Sequence, residues 1–310
     1  MEISVTIPGS PSSITLSVVK KLGGGGQVSI YQVRSNENNT VYVLKLFPKT
    51  EAGTYSFLKE NLISELSHPN VVKNFPINYN SKEFHGILLE YVLYGDFIDI
   101  IKKDILDEEI LVRTYFHQLI EGLQHIHSKG IAHLDIKLEN ITLSSDFTLK
   151  IIDFDNAQLT KSRTLTTVGT EYYRAPEVID QSCIDFKAAD IFSTGVLLYA
   201  LRVKEFPFSE MRDPACKNIR SYQSLVNNKD NFWIAKKKSK RGHLLDDDFI
   251  ELINGMLHID PVQRFTIQDI KNSKWYLGEA LVGEDLANKM RPRIERLMEK
   301  RNKAHCEKKN

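Results

Sequence analysis

The feature that most constrains this chain is a change of hydrophobic period close to Gly95. Before it, apolar residues sit in short β-branched and aromatic runs: ITLSVVKKL (14–22), VSIYQV (28–33), VYVLKLF (41–47) and GILLEYV (86–92). Such runs, separated by turn residues such as SNENN between the second and third, predict strands. One helix is expected among them, over 53–66, ending before His68-Pro69-Asn70. After Gly95 the period lengthens. Val112, Tyr115, Phe116, Leu119, Ile120, Leu123 and Ile126 recur at helical spacing and predict an amphipathic helix over 109–128. DIFSTGVLLYAL (190–201) is apolar all round, as a helix inside a core must be. Further helices are predicted over 246–257 and, strongly charged, over 284–304. A chain of 310 residues with strands first and helices second is expected to form an α+β protein of two lobes.

Composition narrows the function. The chain is 42% hydrophobic and 26% charged with a net charge of +1, so no global field points to nucleic acid or a membrane surface as a partner. Cys183, Cys216 and Cys306 are far apart and form no metal-ligand spacing, which suits a reduced intracellular chain. MEISVTIPGS lacks the basic and apolar regions of a secretory signal, Glu2 excludes N-myristoylation, and no apolar stretch spans a bilayer. The expected location is cytoplasmic, with the nucleus as the alternative raised by the basic run KKKSKR (236–241). The plainer reading of that run is a solvated loop between helices.

Four local patterns carry chemistry. LGGGGQVSIYQV (22–33) lies between strand-like segments, and its glycines let backbone N–H groups approach a phosphate. A glycine run alone is more often a flexible hairpin; Ile30 and Val33 at strand spacing favour a phosphate-covering one. Lys45 lies inside an apolar strand, where it must find an anion or snorkel to solvent. In HLDIKLEN (133–140), Asp135 could orient a hydroxyl, Lys137 neutralise a phosphate, and Asn140 offer an oxygen to Mg²⁺; a charged surface turn is the blander reading. IIDF (151–154) ends a strand in a carboxylate, Asp153, of the kind Mg²⁺ takes one or two of. Each is modest alone. Their order, with Asp153 following Asp135 by 18 residues, is the strong signal.

Together these segments resemble the eukaryotic protein kinase family of serine/threonine type, from about residue 16 to Trp275. HLDIKLEN resembles the catalytic loop, Asp153-Phe154-Asp155 the D-F-G segment, and GTEYYRAPEV (169–178) the segment ending in A-P-E. DIFSTG (190–195) and DPVQRF (260–265) resemble later family segments. The short run DPVQRFTIQDIKNSKWY resembles the calmodulin-dependent-kinase-like branch. The resemblance implies a bilobal kinase fold, with an extension at 1–15, a domain at 16–276 (small lobe about 16–92, large lobe about 96–276) and a charged helical tail at 277–310. It implies ATP and Mg²⁺ as cofactors and protein substrates with Ser or Thr acceptors. Asp135, Lys137, Asn140, Asp153 and Lys45 would be catalytic, with Asn140 and Asp153 holding the metal. ATP would meet Leu22, Gly23, Gly24, Gly25, Gly26, Ile30, Val43, Lys45, the gatekeeper Leu89, the hinge residues Glu90 and Val92, Asp96 and Thr142. Glu60, Thr166, Thr170, Glu177, Asp190 and Arg264 would take structural and activating roles, Glu177 pairing with Arg264. Glu139 would face basic residues upstream of the acceptor.

Departures from the family set the open questions. Val28 stands in place of the third loop glycine, Val43 in place of an alanine and Thr142 in place of an aliphatic residue. Asp155 replaces the D-F-G glycine, which normally permits unusual backbone angles. Glu60, the best partner for Lys45, lies one position too close to His68, and Lys59 fills the expected slot. Leu134 stands where many relatives carry the arginine that receives an activation-loop phosphate. Thr166, at the usual phosphosite register, is therefore not expected to be an on-switch. The alternative is that Leu134 packs under the loop and Arg163 or Lys161 takes over. Two functions remain: an active kinase, or a pseudokinase serving as a nucleotide-binding or scaffold module. The tail either docks on the large lobe as a regulator or frays as a surface helix. Substrate identity and oligomeric state are left open by the sequence.

Overall fold

Six antiparallel strands make the first lobe: β1 (Glu2–Thr6), β2 (Ser13–Gly25), β3 (Val28–Ser35), β4 (Val41–Pro48), β5 (Asn74–Phe75) and β6 (Phe84–Glu90), in the order β1-β2-β3-β4-β6-β5. The structure, a computed structural model, describes residues 2–6, 13–79, 81–162, 169–179, 181–182, 185–208 and 220–307. Neighbouring side chains alternate faces, as strand geometry requires. Leu44, Leu46 and Leu88 close a small core with Ile3, Val5, Leu16 and Val33, while Phe47, Ile87 and Leu89 face the main core. Residues 2–6, set apart by the sequence as part of an extension, pair with Ser13–Ser17 as the edge strand of this sheet. The helix expected over 53–66 is α1 (Glu51–Glu60), which tightens into a 3₁₀ segment over Asn61–Glu65. The Thr50 side chain starts α1 by accepting the Gly53 N–H.

The second lobe is mainly helical: α2 (Phe97–Lys102), α3 (Glu109–Ser128), α4 (Pro176–Ile179), α5 (Phe186–Val203), α6 (Arg220–Asn227), α7 (Lys229–Lys237), α8 (Asp247–Met256), α9 (Ile267–Asn272) and α10 (Gly283–Glu307). Short strands β7 (Ile131–Ala132), β8 (Ile141–Leu143), β9 (Leu149–Ile151) and β10 (Gln158–Leu159) pair as β7–β10 and β8–β9 and hold the polar loops between them. The apolar face predicted for α3 is the buried one, and α5 is buried all round. The basic run 236–241 is not wholly a loop: Lys236 and Lys237 form the last turn of α7, where cations complement the helix dipole. The charged tail helix does not lie loose on the surface. Leu286, Met290, Ile294 and Leu297 of α10 are buried in the main core, and Arg293 and Lys289 pair with Glu108 at the head of α3. No helix among the described residues is long and apolar enough to cross a membrane. Arg163, Thr166, Cys183 and Cys216 lie outside the described residues.

Candidate active site

The cleft between the lobes begins with Lys45 on β4. Its ammonium lies 2.8 Å from Glu60 Oε1, 2.9 Å from Asp153 Oδ1 and 3.9 Å from Asp155 Oδ1. Burial alone would favour the uncharged amine. Glu60, Asp153 and Asp155 outweigh it and hold the Lys45 pKa above the ordinary lysine value. Burial chiefly pushes the Glu60 carboxyl upward; Lys45 pulls it down, while Asp155 and Asp153 push with burial. The strand thus presents a charged lysine to the cleft, and the apolar-strand lysine is not the solvent-facing kind. Glu60 fills the partner position that the sequence left between it and Lys59. Asp155 departs from expectation in a different way. The left-handed backbone lies at Asp153 (φ 66°), not at 155, so replacing the family glycine there does not force a side chain into a left-handed conformation.

Asp135 sits at the centre of a second cluster. Lys137 Nζ lies 2.8 Å from Asp135 Oδ2 and donates to Thr170 Oγ1 at 2.7 Å. Thr170 in turn donates its hydroxyl and its backbone N–H to Asp135 Oδ1, each at 2.8 Å. Burial works against the Asp135 charge, but Lys137 and the Thr170 hydroxyl overcome it and keep the carboxyl below the usual range. Asn140 donates through Nδ2 to the Asp135 carbonyl (2.9 Å) and carboxylate (3.1 Å), which turns its oxygen away as a free acceptor. The close approach of the loops needs Gly169: with φ +85°, a Cβ there would lie 2.4 Å from the Leu134 carbonyl.

The loop is held from below. Asp190, fully buried on α5, accepts the backbone N–H groups of His133 (2.8 Å) and Leu134 (2.7 Å) and a bond from His127 (2.8 Å). His133 Nδ1 accepts the Asp135 N–H, so the ring proton lies on Nε2 and is donated to Ile152 O at 3.0 Å. This links the 133–140 loop to the 151–154 strand end. His127 and His133 were missed as site residues; His127 was visible only as one more position on the buried face of α3. Leu134 is only 7% exposed and holds φ 59°. It is a member of the main core and carries no charge. Glu177 and Arg264 form a two-point pair (2.5 and 3.0 Å), and Arg264 also donates to Ala188 O and His258 O.

The remaining predicted residues lie on the first sheet, just after β6 or on β8. The glycine loop is the β2–β3 hairpin: Gly23, Gly24 and Gly25 face Ile30, Ser29 and Val28 across the strands. Gly24 has φ +118°, and a Cβ there would meet the backbone oxygen of residue 28 at 2.3 Å, so the hairpin needs glycine at 24 whatever side chain stands at 28. Gly26 turns the tip, and Gln27 beside it accepts a bond from Ser56 of α1. Leu22 is exposed, Val43 packs against the main core, and Leu89 is buried. Val92 packs against the same core, and Thr142 is buried with its hydroxyl 3.4 Å from Lys150 O. Asp96 spends one carboxylate oxygen on the Asp99 N–H as the cap of α2. Glu90 pairs with Lys150 at 2.9 Å, an ion pair across the hinge that the sequence did not disclose.

A strand lysine is paired to a helix glutamate and a strand-end aspartate, and an Asp-Lys-Thr cluster is built on the 133–140 loop. Residues 16–276 match the family model of the protein kinase domain, and the chain belongs to that family. It is 30% identical over 267 residues to CBL-interacting protein kinase 26 of Oryza sativa subsp. japonica, covering 83% of this chain and 51% of that protein. It is 30% identical over 273 residues to the maternal embryonic leucine zipper kinase of Danio rerio, covering 84% and 37%. It is 30% identical over 275 residues to the serine/threonine-protein kinase chk1 of Schizosaccharomyces pombe, covering 83% and 52%. The chain thus spans about half, or less, of the length of these relatives.

Proposed function

We propose that this chain is an active, ATP-dependent protein kinase that phosphorylates Ser and Thr hydroxyls of protein substrates. The observation that carries the reading is the closed Lys45–Glu60 pair at 2.8 Å, because the offset of Glu60 was, with Val28 and Asp155, one of three sequence arguments for a pseudokinase. In this reading Lys45 holds ATP phosphates under the glycine hairpin, and the purine lies between Val43 and Thr142 against the backbone of Glu90 and Val92. Asp135 orients the acceptor hydroxyl and takes its proton, and the hydroxyl oxygen bonds to the γ-phosphorus as the bond to the ADP oxygen breaks. Lys137 neutralises charge on the moving phosphoryl group, and Thr170 holds both side chains in place. Asn140 and Asp153 offer the hard oxygen donors magnesium prefers; bound there, the ion would neutralise charge on the phosphates. Glu139 is exposed beside Asp135 and favours substrates with upstream basic residues, through charge-assisted pairing. A peptide array with no gain from upstream arginine would remove that preference. Transfer of labelled γ-phosphate from Mg-ATP tests the activity itself. Wild type transfers and Asp153→Ala does not; a wild type no better than Asp153→Ala is a nucleotide-binding scaffold instead.

A further inference from the structure

The phosphoryl-transfer reading uses Lys45, Glu60 and Asp153 but leaves Asp155 without a role. Glu60, Asp153 and Asp155 bring carboxylate oxygens within 4.8 Å of one another. The ammonium of Lys45 stands against all three, one cation among three carboxyl groups. Two of its oxygens, Glu60 Oε2 and Asp155 Oδ1, are buried without a hydrogen-bond partner. Glu60 is itself wholly buried. Lys45 does not supply a donor to either oxygen: its hydrogen bonds go to Glu60 Oε1 and Asp153 Oδ1, and Asp155 Oδ1 is 3.9 Å away. A buried acceptor facing other acceptors is unfavourable until something positive enters.

We propose that Glu60, Asp153 and Asp155 form a site for one hard divalent cation, which binds before any nucleotide does. The orphaned oxygens are the ligands Lys45 leaves over. The donors are all carboxylate oxygens, which suit magnesium, manganese or calcium and not the softer metals that seek thiolate or imidazole. The inference rests on the phosphoryl-transfer reading for treating Asp153 as a metal ligand, and it adds Asp155 and Glu60 to that role. A chain with glycine at 155 has no such third carboxylate, so the site belongs to this sequence.

The test uses the full chain without nucleotide and Mn²⁺ as the probe. Free Mn²⁺ is followed by electron paramagnetic resonance, and thermal unfolding is followed in the same titration. Wild type is expected to bind one Mn²⁺ below about 1 mM, the range of weak oxygen-ligand sites, and to melt higher as it does. Asp155→Gly is expected to bind at least about tenfold more weakly, as losing a metal-orienting group does. Asp155→Asn, which keeps size and hydrogen bonding, serves if the glycine variant does not fold. No Mn²⁺ uptake by wild type, or equal affinity in the folded variant, overturns the proposal and leaves the two carboxyls sharing a proton instead. Phosphoryl transfer by the same preparation separates the two readings. Transfer without nucleotide-free Mn²⁺ binding sinks the cation site alone, and Mn²⁺ binding without transfer sinks the kinase reading alone.

Discussion

Replacing Thr170 with valine keeps the shape of the side chain and removes one hydroxyl. That hydroxyl accepts from Lys137 Nζ at 2.7 Å and donates to Asp135 Oδ1 at 2.8 Å. Both partners keep one contact, since Lys137 still meets Asp135 Oδ2 at 2.8 Å and the residue 170 N–H still meets Oδ1 at 2.8 Å. The site should therefore stand but loosen. A hydrogen bond to a charged group contributes about 1.5–3 kcal/mol, so kcat should fall by roughly 10-fold to 150-fold. KM for ATP should hold, because in the proposed reading Thr170 positions the group that orients the acceptor and does not touch the nucleotide. The acid limb of the rate profile should also move. The Thr170 hydroxyl helps keep the Asp135 carboxyl below its usual range, so removing it raises the folded pKa and shifts the loss of activity to higher pH. Thr170→Ser keeps the hydroxyl and should restore both rate and profile. Steady-state peptide phosphorylation across pH checks this, and valine and serine variants with the same rate and the same acid limb would refute the reasoning.

Three further outcomes are expected. Arg264→Met strands Glu177 in the interior and should cost about 3–5 kcal/mol in denaturant unfolding; adding Glu177→Leu should recover part of it, and simple additivity would show the pair is not coupled. Thr142→Leu should place apolar surface on the cleft floor and tighten ATP binding by about 1 kcal/mol by calorimetry; equal affinities would dismiss that account of the pocket. Because Leu134 is buried and carries no charge beside Asp135, phosphatase treatment or Thr166→Ala should leave peptide turnover within a few-fold; a loss of two orders of magnitude, about 2.7 kcal/mol of barrier, would reveal a phosphate receptor elsewhere.

What the sequence determined by itself was what depends on short range. Strand alternation, the buried face of α3, the all-round burial of α5 and the order of the polar loops are written in neighbouring residues, because side-chain direction follows the local backbone period. Lys137 and Asn140 stood out for the same reason, lying in a short segment dense in polar residues, whereas Thr170 was singled out only through the family resemblance. The partner of Lys45 was not. Counting back from His68 assumes an even helix, but residues 61–65 form a 3₁₀ segment. At about 2.0 Å of rise per residue against about 1.5 Å in an α-helix, five such residues gain roughly 2.5 Å, more than one α-helical residue. One residue fewer then spans the distance, and Glu60 reaches the lysine. The backbone at Asp155 was equally hidden, since the left-handed turn of this segment is taken by Asp153. Only the tertiary structure set Asp155 against Glu60 and Lys45, buried α10 in the main core, and paired Glu90 with Lys150 across the hinge. These contacts join residues far apart in the chain, and their energies depend on burial and on the sum of nearby charges, which no local pattern records.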